Sequence, residues 1–130
     1  MEPQNSTREL TALVVDDDRV IRMILRRLLE KAGVKNVEEV KNGQEAVEVH
    51  SSGKHFDLIL MDKEMSVMNG VEATKKLRSM DIDSMIVGVS SCETEAEQKE
   101  FMDAGLNDLK QKPLSIDVVS SILDVVKASM

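Results

Sequence analysis

Short, unbroken apolar runs alternate with longer amphipathic stretches along this chain of 130 residues, and that alternation limits the folds open to it. Leu13-Val14-Val15, Leu58-Ile59-Leu60-Met61 and Met85-Ile86-Val87 contain no residue suited to facing water. Such strands need cover on both faces, as in a parallel sheet flanked by helices. Thr11 to Val15 reads as the first strand and Arg19 to Ala32 as the first helix. That helix carries Val20, Ile21, Ile24, Leu25, Leu28 and Leu29 at helical spacing, with Gly33 as its stop. Further strands are predicted at Val37 to Val40, Asp57 to Met61, Met85 to Val89 and Asp108 to Gln111. The intervening helices run from Asn42-Gly43 to about Ser51, from Gly70 past Leu77, and from Thr94 to Ala104. A last helix runs from Ser115, its N-cap, to about Ala128. Five strand–helix units in so short a chain predict an α/β fold, a doubly wound parallel sheet of five strands. Right-handed crossovers favour the order 2-1-3-4-5, with the crevice between strands 1 and 3.

Composition narrows the classes of function. The length suits one domain over residues 10–130, behind a polar and flexible tail at residues 1–9 that lacks the pattern of a signal peptide. No apolar segment approaches the roughly 20 residues of a membrane span. A net charge of −7 offers no basic face for nucleic acid. One cysteine, Cys92, allows no disulfide within the chain. The reading is a protein of the cytoplasm, with the nucleus also open, that engages neither membrane nor nucleic acid.

The chemistry gathers at strand ends. Asp16 and Asp17 close the first strand, Asp62 closes the third, and Lys112-Pro113 follows the fifth. Sites in open parallel sheets form just outside those ends. The predicted order sets Asp16, Asp17 and Asp62 side by side, where two like charges about 4 Å apart repel by roughly 4 kcal/mol at an effective dielectric of 20. Such a cluster protonates or seeks a cation. An all-oxygen donor set without Cys or His suits magnesium better than zinc. Asp18 is expected to cap the first helix. His50 and His55 are expected at the surface, away from the pocket.

In this order and spacing the motifs resemble those of the response-regulator receiver domain of two-component phosphorelays. They are Leu13-Val14-Val15-Asp16-Asp17, Asp57-Leu58-Ile59-Leu60-Met61-Asp62, Met65 with Met68-Asn69-Gly70, Val89-Ser90-Ser91, Ala104-Gly105 and Lys112-Pro113. The resemblance covers about residues 10–128 and is nearest to stand-alone plant receivers without an output domain. It implies a flavodoxin-like fold and a phosphoacceptor that is not an enzyme in the ordinary sense. Asp62 is then the nucleophile toward a phosphohistidine, on a histidine-containing phosphotransfer protein. Asp17, Asp62 and the Glu64 backbone carbonyl hold Mg2+, with Asp16 acting mainly through water. Ser90, in preference to Ser91, donates to a phosphoryl oxygen, and Lys112 pairs with the others. Hydrolysis then releases the phosphate, so the protein acts through partners or as a drain. A monomer is expected, with a phosphorylation-linked dimer left open.

Some features depart from that pattern or stay open. The usual aromatic of the fifth strand is Leu109, which has less to gain by swinging between buried and exposed states, so phosphotransfer is expected to survive better than the conformational signal. Ser66 replaces a common proline. The Glu64 side chain faces either the pocket mouth or solvent. Arg19, Arg22, Arg26 and Arg27 form a basic cluster on the first helix, either solvated or used for docking. The rival reading is a haloacid-dehalogenase-type phosphatase, using Asp16 and Asp18 of Asp16-Asp17-Asp18-Arg19-Val20. It leaves Asp62 without a role and lacks the late acidic pair. A flavin module lacks its phosphate loop and aromatics, and a pseudo-receiver is disfavoured because every pocket residue is present.

Overall fold

A computed structural model describes residues 9–91 and 93–130; most of the predicted tail, and Cys92, lie outside the described residues. The elements run β1 (Thr11–Val15), α1 (Arg19–Lys31), β2 (Asn36–Val40), α2 (Gly43–Ser51), β3 (Leu58–Asp62) and α3 (Gly70–Ser79), then β4 (Met85–Ser90), α4 (Glu95–Asp103), β5 (Asp108–Gln111) and α5 (Ile116–Ala128). All five strands are parallel, in the expected order β2-β1-β3-β4-β5.

Strand side chains point alternately to the two faces of a sheet, and the core divides accordingly. Ala12, Val14, Leu58, Leu60, Val87 and Val89 pack with Leu25 and Leu29 of α1 and with Val119, Ile122, Leu123 and Val126 of α5. Leu13, Val15, Ile59, Met61 and Ile86 face the other way, toward Ala46, Val47, Ala73, Leu77 and Phe101 from α2, α3 and α4. The apolar runs are therefore continuous because both faces are covered. Polar caps start every helix: Asp18, Asn42, Asn69, Thr94 and Ser115 each accept a backbone N–H of the first turn. The expected roles of Asp18 and Ser115 are met.

Two expectations change. Val20 and Ile24 belong to the apolar spacing of α1, yet they stand 55% and 45% exposed, as does Met23 at 44%. The helix buries Leu25 and Leu29 on the sheet, with Ile21 and Leu28 packed partly against the same core, and leaves Val20, Met23 and Ile24 largely outside it. His50, expected at the surface, is buried. It follows Ala46 by one turn and so shares the inner face of α2. Its Nδ1 lies 2.7 Å from the Ala46 carbonyl oxygen, and its ring meets Phe56 edge to face. His55 is exposed and pairs with Asp83 at 3.2 Å.

The return from β3 into α3 leaves no room at Gly70. Its N–H donates to the Lys63 carbonyl at 2.8 Å, and a Cβ there would stand 2.1 Å from the Asp62 carbonyl oxygen. Glycine is what lets this loop close against the residue that carries the chemistry. Gly70→Ala is expected to cost about 1–3 kcal/mol, the usual range for overpacking, and to shift the backbone resonances of Asp62. Urea unfolding together with an amide spectrum checks both; wild-type stability and an unmoved Asp62 amide contradict it.

Candidate functional site

Register brings the acids together before any side chain is considered. Val15 pairs with Met61 across β1 and β3, so the residues that follow, Asp16 and Asp62, leave the sheet as neighbours. Asp16, Asp17 and Asp62 each offer a carboxylate oxygen, all within 4.8 Å of one another. Asp16 and Asp62 are buried, at 1% and 5% exposure, while Asp17 faces solvent. Lys112, just past β5, reaches across to Asp62 Oδ1 at 3.0 Å and Asp16 Oδ2 at 3.2 Å. The second approach is close enough for ionic attraction but lacks hydrogen-bond geometry, so Asp16 Oδ2 is a buried oxygen without a donor.

The electrostatics follow from burial. Loss of water pushes Asp62 up to about 6, with the charge of Asp16 adding to the rise and the hydrogen bond from Lys112 opposing it. Burial works against the Lys112 ammonium, but its hydrogen bond to Asp62 and the charges of Asp62 and Asp16 outweigh this and raise it. The pocket thus holds more negative charge than one lysine satisfies. The buried Asp16 Oδ2, which has an ion-pair contact with Lys112 but no hydrogen bond, the grouping of three carboxylates and the open side at Asp17 all suit a hard divalent cation with retained water.

Other predicted residues fall as follows. Ser90 ends β4, is 4% exposed, and accepts the Lys112 backbone N–H at 2.8 Å through its carbonyl; Ser91 is exposed. Glu64 is exposed in the loop after β3. Asp18 spends its carboxylate on α1, with Oδ1 accepting from Val20 N at 2.8 Å and Ile21 N at 3.3 Å. That use removes the second acid that the phosphatase reading needs. Within the basic cluster, Arg22 and Arg26 both pair with Glu39, whereas Arg19 and Arg27 are exposed.

Lys63 escaped the sequence reading. It is 6% exposed and lies 3.1 Å from Glu93, itself nearly buried, with Glu100 4.0 Å away. Burial opposes its charge, but the bond to Glu93 and the charges of Glu93, Glu97 and Glu64 prevail and raise its pKa. Strand alternation was the available signal: if Asp62 faces α1 and α5, the next residue faces α4.

The shift of Asp62 has a consequence for stability. Its pKa rises from 3.8 to about 6 on folding, so the folded chain keeps a proton that the unfolded chain releases. Stability is therefore lost as pH climbs through that window, and above it ionised Asp62 costs on the order of 2–3 kcal/mol. Without Mg2+, Asp62→Asn is expected to be more stable than wild type by about that amount at pH 7.5 and to lose most of the advantage near pH 4. Thermal or urea unfolding at the two pH values checks this, and an advantage equal at both contradicts it.

Comparison with known proteins bears on the same residues. The response regulator receiver domain model matches residues 12–124. Two-component response regulator 24 of Arabidopsis thaliana is 53% identical over 121 residues, covering 93% of this chain and 86% of that protein. Two-component response regulator ORR42 of Oryza sativa subsp. japonica is 41% identical over 126 residues, covering 96% and 92%. Among solved structures, chemotaxis protein CheY4 of Vibrio cholerae superposes with a TM-score of 0.82 at 26% identity, covering 92% of this chain and 99% of that one. With its flavodoxin-like sheet, its acid pocket and its likeness to plant relatives, the chain belongs to the family of two-component response regulator receiver domains.

Proposed function

We propose that this receiver accepts a phosphoryl group on Asp62 from a phosphohistidine of a histidine-containing phosphotransfer protein, in a Mg2+-dependent step, and loses it by hydrolysis. One observation carries the reading: a buried carboxylate at the end of β3 is held 3.0 Å from a lysine and grouped with two further acids. A carboxylate oxygen of Asp62 attacks phosphorus, the P–N bond breaks, and the imidazole nitrogen keeps the bonding pair and takes a proton from solvent. In hydrolysis, water attacks phosphorus, the P–O bond to Asp62 breaks with the Asp62 carboxylate keeping the bonding pair, and inorganic phosphate leaves with the water's oxygen and one proton while the second proton passes to solvent.

Positioning and charge neutralisation supply most of the catalysis in such transfers. The new group adds about two negative charges beside Asp16 and Asp17. Lys112 is the side chain placed to pair with it, and Ser90, buried at the end of β4, is the hydroxyl assigned to a phosphoryl oxygen. Asp17, Asp62 and the Glu64 carbonyl, with Asp16 through water, are the groups assigned to Mg2+. When bound, the ion would offset the negative charge that gathers at the transferring oxygens.

The partner surface assigned to this reaction is the pocket rim. Val20, Met23 and Ile24 of α1 and Val67 of the β3–α3 loop are exposed, as are Arg19 and Arg27. Val67 holds a φ of 69°, a left-handed conformation that costs a β-branched residue stability. No helix among the described residues is long and apolar enough to cross a membrane.

The test is transfer of labelled phosphate from a phosphorylated phosphotransfer protein in the presence of Mg2+. Label is expected on Asp62 and is expected to vanish in Asp62→Asn, with the fold retained. Lys112→Met is expected to slow acceptance by a factor of about 100 or more, in line with loss of a group that stabilises developing charge. Label on Asp16, or undiminished transfer to Asp62→Asn, overturns the reading. Label that accumulates on the receiver marks a transmitter, and rapid loss from both proteins marks a drain.

A further inference from the structure

Arg22 lies on α1 just past the acid pocket and reaches back toward it. Its Nη1 donates to the backbone carbonyl of Asp16 at 2.7 Å, and its Nε stands 3.3 Å from Glu39 Oε1. The side chain is 16% exposed, so water competes little for it. Glu39 is held in turn, because its Oε2 accepts from Arg26 Nε at 2.5 Å. It sits on β2 in register with Val14, two residues before Asp16. A line of charged hydrogen bonds thus runs from β2 through α1 to the turn that ends β1.

That turn is also held by backbone and local side-chain contacts. Asp16 N donates to the Val40 carbonyl at 3.2 Å, Asp16 Oδ1 accepts from Asp18 N at 2.9 Å, and Asp18 is spent as the helix cap. The carbonyl of Asp16 receives its donor from a distant side chain, Arg22. With these contacts made, Oδ2 of Asp16 and the carboxylate of Asp17 are offered to the pocket beside Asp62. Resting on the phosphoacceptor reading above, we infer that Arg22, moored by Glu39, is a positioning residue that holds the Asp16–Asp17 turn in the arrangement a divalent cation requires.

Charge and geometry predict opposite signs for this residue. A guanidinium near a cation site repels the cation, so if charge alone mattered, removing Arg22 would tighten binding. If Arg22 orients the ligands, its removal loosens binding, by about tenfold or more for groups that hold metal ligands in place. Lysine separates the two effects. It keeps the charge but replaces a planar fork, which serves a carbonyl and a carboxylate together, with one mobile ammonium.

The experiment titrates MgCl2 into the full chain at constant ionic strength, following the amide resonances of Asp17 and Asp62. Wild type, Arg22→Lys, Arg22→Gln and Glu39→Gln are compared, and the Asp16 carbonyl carbon resonance is recorded without metal. Both Arg22 variants are expected to bind about tenfold more weakly, with the Asp16 carbonyl resonance displaced. Glu39→Gln, which keeps Arg22 but loosens its mooring, is expected to weaken binding by a smaller factor in the same direction. Wild-type affinity in Arg22→Lys, or tighter binding in Arg22→Gln, overturns the positioning role. Should Arg22→Gln fail to fold, Glu39→Gln decides, and unchanged affinity there overturns it too. Absence of Mg2+ binding by the unaltered protein takes down the phosphoacceptor reading and this inference together, whereas equal binding by all four proteins overturns the inference alone.

Discussion

Three carboxylates held within ligand distance of one another repel, and the rest of the fold has to sustain that repulsion. Between the two buried acids, Asp16 and Asp62, ionised charges about 4 Å apart would repel by roughly 4 kcal/mol at an effective dielectric of 20. Burial of Asp16 and Asp62 adds the loss of water. The sheet order makes the arrangement unavoidable: β1 lies against β3, in a register that releases Asp16 and Asp62 side by side. Lys112 offsets part of the cost by bridging the two. The remainder is visible as a proton favoured on Asp62 up to about pH 6. A site in this condition favours a bound cation, because the cation relieves what the chain alone cannot.

Support reaches the pocket from both faces of the sheet. On the α1 side, Arg22 and Glu39 fix the turn at Asp16. On the α4 side, Lys63 leaves β3 directly after Asp62 and meets Glu93, three residues past Ser90. Removing one partner from a buried pair of this kind typically costs about 3–5 kcal/mol, whereas replacing both with apolar groups is often neutral. The Lys63–Glu93 pair is therefore better understood as fixing where the start of α4 stands relative to Asp62 than as a large net source of stability.

The layer architecture and the acid pocket were legible because each rests on a local signal. Unbroken apolar runs mark strands covered twice, and an acid at the end of such a run, as at Asp62, has no packing reason to be there. Asp18 was legible as a cap for the same kind of reason: it stands directly before the helical spacing begins. What stayed hidden depends on which elements become neighbours. Arg22 and Arg26 looked like a basic helix face until β2 placed Glu39 between them. His50 looked like a surface residue because the inner face of α2 is short and built largely from small or polar groups. Its burial follows only once Phe56 and Ala46 are seen beside it. Val20 and Ile24 erred the other way, since helical spacing reports an apolar stripe but not how far the sheet extends beneath it.

Leu109 follows the same packing logic. It lies over Gly88, where a Cβ would come within 2.9 Å of its Cδ1 and 2.8 Å of the Phe101 ring, so the missing side chain at Gly88 is what admits all three apolar neighbours, Leu109, Phe101 and Leu106. Leu109 is only partly buried in this contact, so moving it to solvent gives up part of the about 1.5–3 kcal/mol that a fully buried leucine would lose. It also lacks the hydroxyl or ring nitrogen that lets an aromatic residue make a polar contact when it turns outward. A swing of the β5 side chain is therefore opposed here at its first step. The side chains that touch both the β3 end and the start of α4 are instead charged, Lys63 and Glu93. Elsewhere on the surface, Val20, Met23 and Ile24 of α1 and Val67 of the β3–α3 loop stand exposed.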